Sequence, residues 1–335
     1  MKEKYVRHGL KQIMILCALV WMQQLFADQT LVQQKNTQTF IRDLVKNDSF
    51  ERKKVRDILS KAVYKPKIIA AMERPYEKKN WDVYRARFLT PARLNAGLDF
   101  WRNNQKTLQK VEQEYGVPAE VIVAIIGVET SYGKQQGSYR VLDALTTLAF
   151  FYPKRADYFK RELREFLLLC REHGVPATEY VGSYAGAMGK PQFMPSNYRT
   201  YALDFMGKGQ PNLMKDDSDA ILSVANYFKR HGWQTSQMVA EPVQVPNKNA
   251  QELSLNARSP NYTFTQLLQA GVQPHDQQHS HPKEAGLLAL ITDKGPEYWV
   301  AYPNFYVITR YNTSPQYALV VYLLSQSLRE HYRHV

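Results

Sequence analysis

Cysteine is nearly absent: the 335 residues hold two, Cys17 and Cys170. Were the N-terminal segment removed, one would remain, and a lone cysteine excludes an intramolecular disulfide. Also missing is an apolar run long enough to span a bilayer comfortably. The stretch Ile13 to Ala27 is broken by Gln23 and Gln24 and falls short of the roughly 20 residues a spanning helix needs. No internal repeat and no low-complexity tract is visible, which removes repeat architectures from consideration. Acids are outnumbered, 31 Asp and Glu against 44 Lys and Arg, for a formal charge of +13. Such an excess suits nucleic acid, an anionic membrane surface or an acidic polymer equally well, so charge alone does not choose among them.

What is present is 44% apolar residues, enough in a chain of this length to bury one sizeable core or two smaller ones. A folded, multi-lobed protein of enzyme size is expected. At the start, Lys2, Lys4, Arg7 and Lys11 precede the apolar run, which reads as a secretory signal over residues 1–27. Cleavage is expected after Ala27, although Leu25 is larger than the small residue favoured three positions back. The alternative, a buried N-terminal helix, leaves the basic flank without a purpose. Cys17 raises the question of a lipid anchor, but the residue before it is Leu16 and only a short apolar run precedes it, so anchoring is the less favoured reading. Loss of the signal removes four positive charges and one negative, bringing the net charge to about +10.

Along the chain, Gln38 to Ala71 reads as short helices and Trp81 to Phe88 as a loop or extended piece. Thr90 and Pro91 make a helix start, a hydroxyl cap followed by a ring preset for the first turn, and this helix is expected to run to Tyr115 and stop at Gly116. Ala119 to Thr130 is apolar nearly all round, the pattern of a buried helix. Ala156 to His173 puts Phe159, Leu163, Phe166 and Cys170 on one stripe and ends at Gly174, which makes Cys170 a packing residue. Asp219 to Arg230 is a further helix. Short runs at Val243 to Val245, Gly286 to Ile291 and Tyr298 to Tyr302 are strands, and a last helix runs from Ser314 and Pro315 to about Arg329. The three histidines between His275 and His281 read as a solvated loop rather than a metal site, since no partner has fixed spacing.

Within the buried helix one residue is out of place. Glu129 follows the apolar run in the last turn, where burial and the exposed carbonyl ends both disfavour its charge, and a carboxyl so placed is suited to act as a general acid. The plainer alternative is a glutamate that emerges at the surface as the helix ends. A second unusual stretch bears on the choice: Gly182-Ser183-Tyr184-Ala185-Gly186-Ala187-Met188-Gly189, then Pro191-Gln192-Phe193-Met194-Pro195. Small residues let backbone approach a ligand, while Ser183 and Gln192 supply neutral hydrogen-bonding groups, which suits a sugar; a tight structural turn is the other reading. Tyrosine is plentiful and stacks on sugar faces, although tyrosines also fill cores and rims.

These segments, together with Gly127-Val128-Glu129-Thr130-Ser131-Tyr132-Gly133, Ser223 to Phe228 and Asn304 to Asn312, resemble the lytic transglycosylase B family of peptidoglycan-cleaving enzymes, in the same order over roughly Phe40 to Arg329. The resemblance implies a mainly α (α+β) chain: a lysozyme-like catalytic core with a helical lobe from both chain ends and a small antiparallel β lobe. It sets the boundaries at 28–115 for the N-terminal helical lobe, 116–240 for the core, 241–312 for the β lobe and 313–335 for a C-terminal helix on the helical lobe. It implies that Glu129 protonates the glycosidic oxygen between N-acetylmuramic acid and N-acetylglucosamine. The same carboxylate then takes the proton of the muramyl C6 hydroxyl, which closes a 1,6-anhydro ring without water. Ordinary glycoside hydrolysis uses two carboxylates; Asp143, the nearest later acid, is a less favoured second one.

By the same resemblance Ser183 bonds the substrate N-acetyl group, Gln192 and Asn312 line the cleft, and Tyr317 lies close to Glu129. Tyr84, Tyr158, Tyr227 and Tyr311 form walls or stacking surfaces, and Lys154 and Arg155 face the acidic stem peptide or lactyl group. The family often carries a calcium loop where this chain reads Asp204 to Asn212 with a later acid at Asp219. Met206 and Lys208 stand where oxygen ligands belong, so calcium is expected to be lost or weak and no cofactor is expected. The expected partner is the peptidoglycan glycan strand, with wall-synthesis proteins as further partners, no nucleic acid, a monomeric chain and a periplasmic location. A hydrolytic muramidase of the same fold and a non-catalytic peptidoglycan-binding protein are the competing readings.

Overall fold

The computed structural model describes residues 31–74, 79–207, 209–246, 250, 252–275 and 281–333. The expected signal, Cys17, Lys208 and His279 lie outside the described residues. The chain is mainly α-helical with a small antiparallel sheet. Its strands in chain order are β1 (Tyr139–Arg140), β2 (Val181–Gly182), β3 (Ala240–Gln244), β4 (Tyr262–Thr263), β5 (Gln273–Pro274), β6 (Glu284–Thr292) and β7 (Gly295–Ala301). The chain forms two compact units, one from the described residues of Met1–Arg74, Gly137–Met188 and Met194–Arg199, the other from those of Pro75–Gln136, Gly189–Phe193 and Thr200–Val335.

In the first unit the helices Val141–Phe151 and Ala156–His173 pack on each other. The former is buried almost throughout, so its polar residues must be satisfied from within the protein. Asp143 accepts bonds from the Val63 amide (2.9 Å) and from Arg140 Nε and Nη2 (3.0 and 2.7 Å), and Thr147 Oγ1 accepts from the Lys65 amide (3.1 Å). Asp143 is thereby committed to holding the chain that follows Leu59. The second helix buries the expected stripe and ends at Gly174 in the left-handed region. Burial pushes the Cys170 thiol up to about 12, so it stays protonated and acts as a packing group. β1 and β2 pair antiparallel, Tyr139 opposite Gly182.

In the second unit the helix Ala119–Thr130 is covered by Pro91–Asn103, Gln105–Tyr115, Asp217–Arg230 and Pro315–Arg333, which accounts for its having no polar face. Thr90 caps Pro91–Asn103 through the Arg93 amide (3.2 Å). The five-stranded sheet runs β4-β6-β7-β3-β5, with each neighbouring pair antiparallel. One face packs a core that includes Val243, Leu287, Val300 and Tyr302.

Three local expectations are corrected. Trp81–Phe88 is a helix: Trp81 and Tyr84, three residues apart, bury one face, and Glu297 of β7 accepts from Trp81 Nε1 (2.9 Å) and Arg85 Nη1 (3.0 Å). The helix from Pro91 breaks at Asn104, whose side chain bonds the Phe100 carbonyl (2.9 Å) and competes with the ladder. His281 is not solvated. Its largely buried ring stacks on Phe264 at 4.0 Å, and Nε2 lies 3.0 Å from Glu241 Oε1.

Asp143→Ala leaves a backbone amide and a guanidinium without their acceptor, and is expected to lower the unfolding free energy by about 2–4 kcal/mol in urea titration. A change below about 0.5 kcal/mol would contradict this role.

Candidate active site

Glu129 sits half-buried at the end of a helix otherwise closed off from water. The chain leaves that helix through three successive left-handed residues, Ser131, Tyr132 and Gly133 (φ 49°, 61° and 86°). Thr130 steadies the exit: its hydroxyl donates to the Lys190 carbonyl (2.8 Å) and accepts from the Gly133 amide (3.0 Å). Tyr132 turns back into a slot between two helices. A Cβ at Gly97 would lie 2.3 Å from its hydroxyl oxygen, and one at Gly127 would lie 2.4 Å from it. Both positions therefore exclude any side chain, and the Tyr132 ring, stacked on Phe100 with centroids 5.4 Å apart and 29° between planes, locks the segment that follows the acid.

The Tyr317 hydroxyl donates to Glu129 Oε1 at 2.5 Å, and Tyr317 is buried in Pro315–Arg333, which packs along the acid's own helix. Tyr311 donates to the Pro191 carbonyl (2.6 Å), and Tyr227 to the Arg310 carbonyl (2.6 Å). Burial, then the negative charge of Glu129, pushes the Tyr311 and Tyr317 hydroxyls well above the ordinary tyrosine range, so both remain donors at any working pH. Tyr84 is buried close enough to act electrostatically on Tyr317. Tyr227 is buried as well, with its ring 4.9 Å from Tyr311 and stacked on His231 at 4.0 Å. Tyr84 and Tyr227 thus support the site from behind and offer no open ring face.

Gln192 has a left-handed backbone (φ 51°), and its side-chain amide donates to the carbonyls of Gly189 (2.9 Å) and Gln136 (3.3 Å). Asn312 Oδ1 accepts from the Ser314 amide (3.0 Å) at the entry to the last helix. Both side chains shape turns that carry the site.

Ser183, Lys154, Arg155 and Tyr158 belong to the other compact unit. Ser183 Oγ accepts from the amides of Ala185 (3.2 Å) and Ala187 (3.1 Å), which leaves its own hydrogen as a donor and fixes its position. A Cβ at Gly186 (φ 85°) would meet Leu145 at 2.5 Å, so this turn requires glycine. The basic pair divides: Lys154 is paired with Glu73 (2.8 Å), whereas the exposed Arg155 lies over the Tyr158 ring at 4.4 Å. Burial pushes Tyr158 up to about 12.

At the loop compared with a calcium site, Asp219 Oδ1 accepts from the Phe205 amide (2.8 Å) and Oδ2 from the Asn212 amide (2.7 Å); Asp204 Oδ1 accepts from the Met206 amide (2.9 Å). Met206 is 65% exposed and brings no oxygen ligand. Among the described residues no group of three or more His, Cys, Asp or Glu is placed to hold a metal ion.

Sequence reasoning passed over Gly97, Gly127, Tyr132 and Thr130 as positioning residues. The glycines carried the available signal, since each interrupts a helix where alanine would be favoured.

Tyr317→Phe removes a donor that favours the charged carboxylate, so the acid would hold its proton to higher pH and the alkaline limb of the rate profile would move upward. Turnover below that limb is expected to fall about tenfold through lost orientation. A rate profile identical to that of the unmodified protein would contradict the contact's role.

The chain is similar to known proteins over most of its length. The family described as "Transglycosylase SLT domain" matches residues 32–326. Membrane-bound lytic murein transglycosylase B of Escherichia coli (strain K12) is 43% identical over 303 residues, covering 88% of this chain and 82% of that protein. The crystal structure of catenated lytic transglycosylase SltB1 from Pseudomonas aeruginosa superposes with a TM-score of 0.83 at 44% identity, over 89% of this chain and 98% of that one. SltB3 from Pseudomonas aeruginosa, in complex with NAG-anhNAM-pentapeptide, has a TM-score of 0.76 at 29% identity, over 88% and 80% of the two chains. With such likeness along nearly its whole length, this chain belongs to the lytic murein transglycosylase B family, with its lysozyme-like fold.

Proposed function

We propose that the protein is a lytic transglycosylase that cleaves the β-1,4 bond between N-acetylmuramic acid and N-acetylglucosamine in peptidoglycan and leaves a 1,6-anhydromuramyl end. The observation that carries this reading is one half-buried carboxylate held by a buried tyrosine, in a family of peptidoglycan-cleaving lyases. Glu129 is the carboxylate whose charge bears on both Tyr311 and Tyr317, while Asp143 is committed to Arg140 and the Val63 amide. A single carboxyl suits a reaction whose nucleophile lies on the substrate.

With Tyr317 positioning the Glu129 carboxyl, proton transfer is assigned to that carboxyl. The carboxyl gives its proton to the glycosidic oxygen as the bond to C1 breaks. The resulting carboxylate then accepts the C6 hydroxyl proton as that oxygen bonds C1, which restores the acid. Ser183, which accepts two amides and keeps its hydrogen as a donor, is assigned to the N-acetyl carbonyl. Arg155 is assigned to the acidic substituents of the polymer; Lys154, paired with Glu73, contributes less.

The same reading expects calcium binding to be lost or weak, since Met206 and Lys208 stand where oxygen ligands belong. It makes the chain an exported, monomeric enzyme of the periplasm that meets wall-synthesis proteins there. Support for export comes from the basic and apolar pattern of residues 1–27 and from a relative named as membrane-bound. No helix among the described residues is long and apolar enough to cross a membrane.

Mass spectrometry of purified glycan strands after digestion is expected to give products lighter by one water per cleaved bond than a hydrolase leaves. Products with ordinary reducing ends would instead establish a muramidase, and binding without cleavage a wall-binding protein.

A further inference from the structure

The Ala119–Thr130 helix carries an acid at each end. Glu120, in the first turn, lies about 13 Å along the axis from Glu129, at ~1.5 Å per residue. It borders a cavity of about 420 Å³, within the size range of small-molecule sites, together with Glu112, Arg329, Arg333 and the stacked rings of Trp101 and Tyr332 (4.2 Å apart, 10° between planes). Glu120 is only 9% exposed. Arg329 and Arg333 are near enough to bias its charge, yet neither closes an ion pair with it; among the described residues the Arg329 side chain bonds Gln326 (2.5 Å). A buried carboxylate with nearby cations that stop short of it is a costly arrangement. A ligand carrying both signs of charge would relieve that cost.

We propose that this cavity binds the headgroup of an α-amino acid, with its ammonium between Glu112 and Glu120, its carboxylate toward Arg329 and Arg333, and its aliphatic stem against the Trp101–Tyr332 stack. The assignment follows from the lining itself, which brings two acids, two arginines and a pair of stacked aromatic rings to one cavity. Burial raises the Glu120 carboxyl above its ordinary range, its own backbone amide opposes the rise, Glu112 adds to it, and the two arginines oppose it. Glu112 is raised by burial too, against the Ala119 amide. An incoming ammonium would favour the charged form of both. The ligand could be a free amino acid or the diamino acid of a wall stem peptide, whose side chain ends in the same headgroup. The site does not depend on the reaction at Glu129.

Isothermal titration calorimetry on the full chain at neutral pH tests this. Norleucine and 2,6-diaminopimelate are expected to bind, and N-acetylnorleucine and norleucine amide, each lacking one charge, to bind at least about tenfold more weakly, which corresponds to about 1.4 kcal/mol. Glu120→Gln and Arg329→Gln should each weaken norleucine binding by a similar factor. A stem tripeptide ending in diaminopimelate separates the sources: tighter binding than the free amino acid assigns the site to wall peptides, weaker binding to free amino acids. No binding of either zwitterion, equal binding of the blocked compounds, or unchanged binding by Glu120→Gln would overturn the proposal. The blocked compounds decide the matter on the unmodified protein should a variant fail to fold.

Discussion

The hydrogen bond from the Tyr317 hydroxyl to Glu129 Oε1 joins residues 188 positions apart, and the elements around it position both partners. The backbone that carries Glu129 is held in place, because its helix is buried along its length and its exit is pinned by Thr130 and by Tyr132 in the slot between Gly97 and Gly127. Tyr317 is held as well, being buried in the last helix and backed by Tyr84. Tyr84 depends in turn on the Trp81–Phe88 helix, which Glu297 ties to the sheet. The five-stranded sheet therefore bears on the acid through Glu297, Tyr84 and Tyr317. A rotating carboxyl would lose part of each catalytic cycle to orientations that reach neither the glycosidic oxygen nor the C6 hydroxyl.

The polar residues around this contact act mostly on backbone. Gln192, Asn312, Tyr227 and Tyr311 each bond a main-chain group and so place the turn at Gly189–Phe193 and the entry to the last helix. In the other compact unit, Ser183 accepts two amides and keeps its hydrogen as a donor. The basic pair shows how neighbours with the same charge diverge: a carboxylate holds Lys154, while Arg155 rests on an aromatic face with its charge outward.

How much of this could be read beforehand follows from the distance over which each feature is encoded. Glu129 stood out because an apolar helix with one acid in its last turn is a local anomaly. The Thr90–Pro91 start and the stripe ending at Gly174 were legible for the same reason. The Trp81–Phe88 helix was not, because its anchor on Glu297 lies more than two hundred residues away and its own periodicity is weak. His281 looked like a loop histidine until Phe264 and Glu241 were found beside it. The Tyr132 slot needed two glycines on separate helices to face each other, a coincidence no window of sequence contains. Tyr317 entered the sequence reading only through family resemblance, and its bond to the acid is a product of tertiary packing.

The central claim is that one carboxyl carries the proton in both directions. Turnover of purified peptidoglycan by Glu129→Gln, a substitution that keeps shape and removes acidity, tests it most directly. Loss of at least about 10³-fold with an unchanged thermal melt is the predicted result. Turnover within tenfold of the unmodified protein would show that another group supplies the proton.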